Sequence, residues 1–272
     1  MPELPEVETV VRFIRPRIVG KTIQNVLPQN NYEKVLATHT APQFNNIVTG
    51  QTIKNVIRKG KFIVLNLERG YLLIHLRMTG RLLLNLSEDD KLKHLTAIIY
   101  FTDKSSLYFK DYRKFGRFYY YDSLDYINNK LGLEPLSKTF TGDWLYKNLH
   151  KSKRQLKPLL LDQSFIAGLG NIYVDESLWY AKLHPQKIGS SVSRKKSKIL
   201  HDAIQRLLQT AIDNQGTTII NFYFGEGKKG KFREQLKVFG RQDNNCPRCK
   251  AIIKKIRVAQ RGTHICPRCQ RI

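Results

Sequence analysis

The first eight residues, MPELPEVE, place a proline amine beside two or three carboxylates. A methionine before a small residue is normally trimmed, which would leave Pro2 at the terminus. Proline's amine is secondary, and α-amino groups titrate at about pH 8, so part of it is unprotonated and nucleophilic at neutral pH. With Glu3 next to it, the pair suits Schiff-base chemistry on a sugar carbonyl with a carboxyl acid/base partner. The same residues also read as a helix start, with Pro5 at the first helical position and Glu6 and Glu8 in the first turn.

Cys246, Cys249, Cys266 and Cys269 are the only cysteines, arranged as two C-P-R-C knuckles with 16 residues between them. That spacing is the four-cysteine zinc ribbon, in which each knuckle offers two thiolates and the intervening stretch forms a β-hairpin. One structural Zn2+ is expected, and no organic cofactor. Two short-loop disulfides are the alternative, disfavoured in a reducing compartment. The hairpin is expected in AIIKKIRVA, turning at QRGTH. His264 is near enough in sequence to compete as a ligand, although four thiolates already fill the site.

Other positions could meet a polyanion. In KPLLLDQSFIAGLGNIYVDE an apolar helix should break at Gly168 and Gly170, with Asn171 as the N-cap of the next helix, where free N–H groups suit a phosphate. No strand precedes this Gly-x-Gly, so a dinucleotide site is rejected. Lys61, in RKGKF, could reach a DNA backbone or carry a proton, or be only a solvated charge. HLRMTG (75–80) and DYRKFGRF (111–118) read as exposed heads. There Met78, Arg113 and Phe115 combine an apolar probe, a hydrogen-bonding cation and an aromatic wedge, able to fill the void of a flipped base. Met78 and Phe115 also suit a core.

Composition narrows the partners. The 272 residues carry 47 Lys and Arg against 22 Asp and Glu, a net +25, which favours nucleic acid. From Lys228 to Ile272 alone, 14 Lys and Arg face only Glu234 and Asp243. No apolar run is long enough to span a membrane, and three early Glu do not suit a secretory signal, so a cytoplasmic protein with no membrane partner is expected; a monomer is expected as well.

The elements that must position these groups follow from periodicity. Residues 5–15 read as a helix with Val7, Val10, Val11 and Ile14 on one face and Pro16 near its end. From about Thr22 to Tyr121 the pattern is strand-like, with a hairpin around Lys59 and Gly60, suggesting an antiparallel sandwich. Beyond LGLEPLSKTFTGD the chain turns helical, with a long helix at about 195–213 whose stripe is Ile199, Leu200, Ala203, Ile204, Leu207, Leu208 and Ala211. The segment 224–232, FGEGKKGKF, is the expected mobile loop.

Together PELPEVET, RKGKF, HLRMTG, DYRKFG, AGLGNIYVDE and RGTHICPRCQ resemble, in order, bacterial formamidopyrimidine-DNA glycosylase. The resemblance implies an α+β chain: an N-terminal antiparallel β-sandwich with a terminal helix (2–134), a linker (135–149), a helix-two-turn-helix domain (150–236) and a zinc finger (237–271). It implies removal of 8-oxoguanine and formamidopyrimidines from double-stranded DNA, and nicking at abasic sites. Pro2 would be the Schiff-base nucleophile and Glu3 the acid that opens the deoxyribose. Lys61 would assist β-elimination and Arg261 δ-elimination while holding a phosphate, with His94, Arg113, Lys157 and Asn171 as DNA contacts. Three positions depart from the family pattern: Ile220 and Gln260 stand where arginine and glycine are common, and Thr79 where an acidic or small residue occurs. An oxidised-pyrimidine enzyme of the endonuclease VIII branch and a non-catalytic zinc-ribbon binder are the competing readings.

Overall fold

The computed structural model describes residues 1–86, 93–218, 223–224 and 228–272. Its contacts divide the chain into two units: residues 1–128 with 214–231, and residues 129–213 with 232–272. The sequence-derived domains follow chain order, whereas the observed units do not, because residues 214–231 return to the first.

In the first unit, helix α1 (Leu4–Ile18) buries Val7, Val10, Val11, Ile14 and Ile18 along one face. It runs one turn beyond the expected end because Pro16, lying close to the C-terminus, removes only one helical hydrogen bond. The strands are β1 (Ile23–Pro28), β2 (Asn55–Lys59), β3 (Phe62–Asn66), β4 (Tyr71–His75), β5 (Gly80–Leu83), β6 (Leu95–Phe101), β7 (Ser106–Asp111) and β8 (Arg117–Tyr121). They form two antiparallel sheets, ordered β1-β6-β7-β5 and β2-β3-β4-β8. Inward residues of both, among them Val26, Ile99, Phe109, Ile63, Leu72 and Phe118, share one core with the buried face of α1. This is the expected sandwich.

An α-helix interrupts the stretch that reads as strands. The first-unit helix α2 (Ala41–Val48) is set by a capping box in which Thr40 N–H donates to Gln43 Oε1 at 3.1 Å, with Pro42 in its first turn and Phe44 and Val48 buried. Strand β5, within HLRMTGRLLL, is also absent from the sequence reading.

The second unit is helical, after the short α3 (Asp125–Lys130): α4 (Gly142–His150), α5 (Leu156–Leu161), α6 (Asn171–Ala181) and α7 (Arg194–Asp213). Helix α4 begins inside the stretch read as linker. Helix α7 buries Leu200, Ala203, Ile204, Leu207, Leu208 and Ala211 as expected, but Ile199 lies 38% exposed, one position off the stripe. Helix α6 is buried almost all round, as its continuous apolar sequence requires. Strands β9 (Lys254–Val258) and β10 (Arg261–Ile265) form the ribbon hairpin. Its turn is Ala259–Gln260, both at positive φ, so QRGTH is mostly strand rather than turn.

Candidate active site, DNA contacts and metal centre

The N-terminal residues sit in a tied corner. Pro2 is buried, and Glu3 and Glu6 are 3% and 2% exposed. Glu3 caps α1 through a capping box, its side chain accepting from the backbone N–H of Glu6. In return Glu6 Oε2 accepts from Glu3 N–H at 2.8 Å. The other Glu6 oxygen accepts from Thr217 N–H at 2.7 Å, so one carboxylate joins the N-terminal corner to the returning segment. Gly216 permits this approach: an added Cβ would lie 3.0 Å from Glu6 Oε1, at a φ of +79°. With Met1 attached, Pro2 nitrogen is an amide and inert; its removal exposes the amine.

Glu8 fixes a second piece. It pairs with Arg58 at 3.2 Å, and Arg58 donates to Gly60 O at 3.0 Å, fastening the β2–β3 turn that carries Lys61. Lys61 is 5% exposed, not a solvated hairpin charge. Close to it is His75, 8% exposed, whose Nδ1 accepts from Arg77 N–H at 2.9 Å and whose ring meets the edge of Phe62 at 4.7 Å. Burial pushes the His75 imidazole down to about 3, and the charges of Arg77 and Lys61 act in the same direction. A histidine held neutral at neutral pH beside a lysine is a candidate that the sequence reading missed.

The two reading heads meet over one buried carboxylate. Asp111, 1% exposed, accepts from the Thr79 hydroxyl, from Arg113 N–H at 3.2 Å and from Gly116 N–H at 2.6 Å. Thr79, a departure from the family pattern, is therefore a clamp between the heads, and its oxygen also accepts from Arg113 N–H at 3.0 Å. Beyond the clamp, Met78 and Phe115 are 43% and 46% exposed, so neither belongs to the core. The Arg113 guanidinium sits 4.7 Å from the Phe115 ring centroid and donates to Met78 Sδ at 2.9 Å. His94, at φ 63°, meets the ring of the exposed Tyr112 at 4.5 Å. Three side chains able to enter a duplex are thus held as one cluster. Ile220 lies outside the described residues, as do 225–227 of the expected loop.

In the second unit Asn171 is the first residue of α6 and the N-cap is Gly170, because Asn171 turns its side chain to the ribbon, Nδ2 donating to Gly262 O at 3.1 Å. Lys157, expected on a phosphate, is fully buried instead: Nζ donates to Asp175 Oδ1 at 2.6 Å and to Gly262 O at 3.1 Å. The other Asp175 oxygen accepts from His264 N–H at 2.8 Å. These bonds dock β10 on α6 and leave Arg261 exposed at the hairpin tip. Gln260 beside it holds φ 61°, a conformation that costs a non-glycine residue roughly 1–2 kcal/mol. Next along α6, Glu176 accepts from Lys237, Val238 and Phe239 N–H at 2.8–3.0 Å. Burial, and then the charge of Asp175, raise its carboxyl while those three donors oppose the rise.

The four cysteine sulfurs lie within 4.8 Å of one another, and none is in a disulfide. Tetrahedral Zn2+ with Zn–S of about 2.3 Å sets sulfurs about 3.8 Å apart, so the donor set fits a closed structural site. His264 stands outside the cluster, its Nε2 3.1 Å from Gln242 Oε1. Among the described residues no helix is long and apolar enough to cross a membrane.

Three family models match: the formamidopyrimidine-DNA glycosylase N-terminal domain over residues 1–118, the H2TH domain of that enzyme over 131–222, and the zinc finger found in FPG and IleRS over 245–272. The chain is 40% identical to the formamidopyrimidine-DNA glycosylase of Pelotomaculum thermopropionicum, covering 100% of both chains. It matches MutM in complex with DNA containing carbocyclic 8-oxoG at a TM-score of 0.91 and 39% identity, with both chains fully covered. It also matches Lactococcus lactis Fpg bound to abasic-site DNA at a TM-score of 0.90 and 37% identity, covering 99% of this chain and 100% of that one.

Proposed function

The chain belongs to the formamidopyrimidine-DNA glycosylase family, and on that premise we propose that Pro2 is its nucleophile and Glu3 its acid/base carboxyl. It is a DNA glycosylase with abasic-site lyase activity, acting in base-excision repair on DNA that carries 8-oxoguanine or formamidopyrimidine lesions. The observation that carries the residue assignment is the corner in which Glu3 caps α1 while Glu6 holds Glu3 N–H and Thr217 N–H.

With Met1 removed, the Pro2 lone pair attacks C1′ of the damaged nucleotide, the glycosidic C–N bond breaks and the base leaves with a proton. Glu3 protonates the ring oxygen as the deoxyribose opens. The resulting iminium makes the C2′ proton acidic. Its removal, assisted by Lys61, expels the 3′ phosphate, and a second elimination assisted by Arg261 expels the 5′ phosphate. Arg113, Met78 and Phe115 enter the duplex where the base has left, and His94, Asn171 and Arg261 hold the backbone. We assign Lys157 to orienting Gly262 and Asp175 instead of touching a phosphate, since its ammonium is fully buried.

Zn2+ on Cys246, Cys249, Cys266 and Cys269 supplies folding energy to the ribbon and takes no part in bond making. The ribbon residues then present Arg261. We also place the protein in the cytoplasm, with the DNA it repairs.

The test is strand nicking and base release on a duplex with one 8-oxoguanine. Pro2→Gly is expected to lose most lyase activity, and wild-type nicking by that variant would overturn the assignment.

A further inference from the structure

Helix α6 presents a group that the repair chemistry does not use. Trp179, 5% exposed, packs with Val238, Ile253, Cys246 and Cys266 at the base of the ribbon. The guanidinium of Arg248, inside the first knuckle, lies 3.9 Å from the Trp179 ring centroid. It also donates to Trp179 O at 3.0 Å, capping a carbonyl at the end of α6. The indole Nε1–H is fully buried and has no hydrogen-bond partner among the described residues. A buried donor is almost always paired, and the buried sulfurs packed in the same cluster as Trp179 are those of Cys246 and Cys266.

We propose that Trp179 is a positioning residue of the metal centre, its indole N–H hydrogen-bonding the Cys246 thiolate while Arg248, stacked on the ring, fixes its orientation. The inference rests on the zinc reading of the four cysteines and is independent of the glycosylase reading. Four thiolates on one Zn2+ carry a formal charge of about −2 by the ligand chemistry of such sites. A buried N–H donor disperses part of that charge and holds one sulfur in the tetrahedral direction, as outer-shell partners do at metal sites generally. Trp179 therefore ties zinc occupancy to α6, the same helix whose Asn171 and Asp175 hold β10.

Trp179→Phe keeps an aromatic ring beneath Arg248 and removes the N–H donor. Zinc transfer from the purified full-length protein to a chromogenic chelator is expected to accelerate by roughly tenfold or more, the usual effect of losing an outer-shell partner. In the Co2+-substituted protein, the sulfur-to-cobalt charge-transfer band is expected to move to lower energy, because the Cys246 sulfur becomes a stronger donor. An unchanged release rate, or faster release with an unmoved band, would overturn the proposal, the latter marking lost packing alone. The chain has two tryptophans, so Trp144→Phe leaves Trp179 as its sole indole reporter and keeps the test open should Trp179→Phe not fold. Its emission is expected to shift on zinc removal, and constant emission would also overturn the proposal.

Discussion

Replacing Lys157 separates two accounts of one residue. Both side chains of the Lys157–Asp175 pair are fully buried at 2.6 Å, and Lys157 also holds Gly262 O at 3.1 Å. Lys157→Met keeps the bulk of the stem but strands Asp175 as a buried charge. Stripping one partner from such a pair costs about 3–5 kcal/mol. At about 2–4 °C per kcal/mol for a chain of this class, the helical unit should melt roughly 6–20 °C lower. Lys157→Met combined with Asp175→Leu should recover most of that, short of the unpaired His264 N–H, a residual of about 1–3 kcal/mol. Calorimetry reads the melting, and the salt dependence of DNA binding reads the alternative. A lysine on a phosphate would leave the melting temperature nearly unchanged and lower the log–log salt slope by about 0.9. That second pattern would refute the buried-pair reasoning.

Arg261→Ala, at the exposed hairpin tip, should give the pattern denied to Lys157: unchanged melting and a salt slope reduced by about one, measured by DNA titration across salt concentrations. Asp111→Ala should cost about 1–3 kcal/mol by leaving the buried Gly116 N–H unpaired, and should weaken duplex binding as the two heads part; denaturant melts and binding isotherms check both. His75 binds its proton less readily in the folded state than in the unfolded one. Its contribution is therefore complete above about pH 6.5 and drains away as pH falls toward about 3, reaching a loss of about 2 kcal/mol at pH 5. His75→Asn should flatten the melting-temperature profile across that window, and an unchanged profile would count against a buried neutral imidazole. Glu3→Gln should abolish 8-oxoguanine release while still forming an iminium on abasic DNA, which borohydride reduction detects.

What was legible in the sequence was whatever depended on local spacing. The two knuckles, the helix start at the N-terminus and the stripe of α7 announce themselves within a few turns of chain; all three are present, although α1 begins at Leu4, one residue before Pro5, and Ile199 falls off the stripe. Thr40 and Gln43 were also a readable signal for α2, hidden by the strand-like composition around them. What was not legible depended on contacts between distant residues. Nothing near Asp111 in sequence says that it collects Thr79, and nothing near Glu6 foretells Thr217, 211 positions away. Lys157 shows the same limit: nothing near it in sequence says that its ammonium meets the carboxylate of Asp175, 18 residues on. Asn171 reads as an N-cap, yet its side chain bonds Gly262 on the ribbon, and it is the first helical residue with Gly170 as the cap.

The central claim is a covalent bond between Pro2 and C1′ of a damaged nucleotide. Its most direct measurement is borohydride trapping of Met1-processed protein on a duplex with a single 8-oxoguanine opposite cytosine, followed by peptide mapping of the adduct. The account predicts an adduct whose peptide begins at a modified Pro2. Trapping at another residue, or no adduct on this duplex or on a plain abasic site despite tight DNA binding, would contradict it.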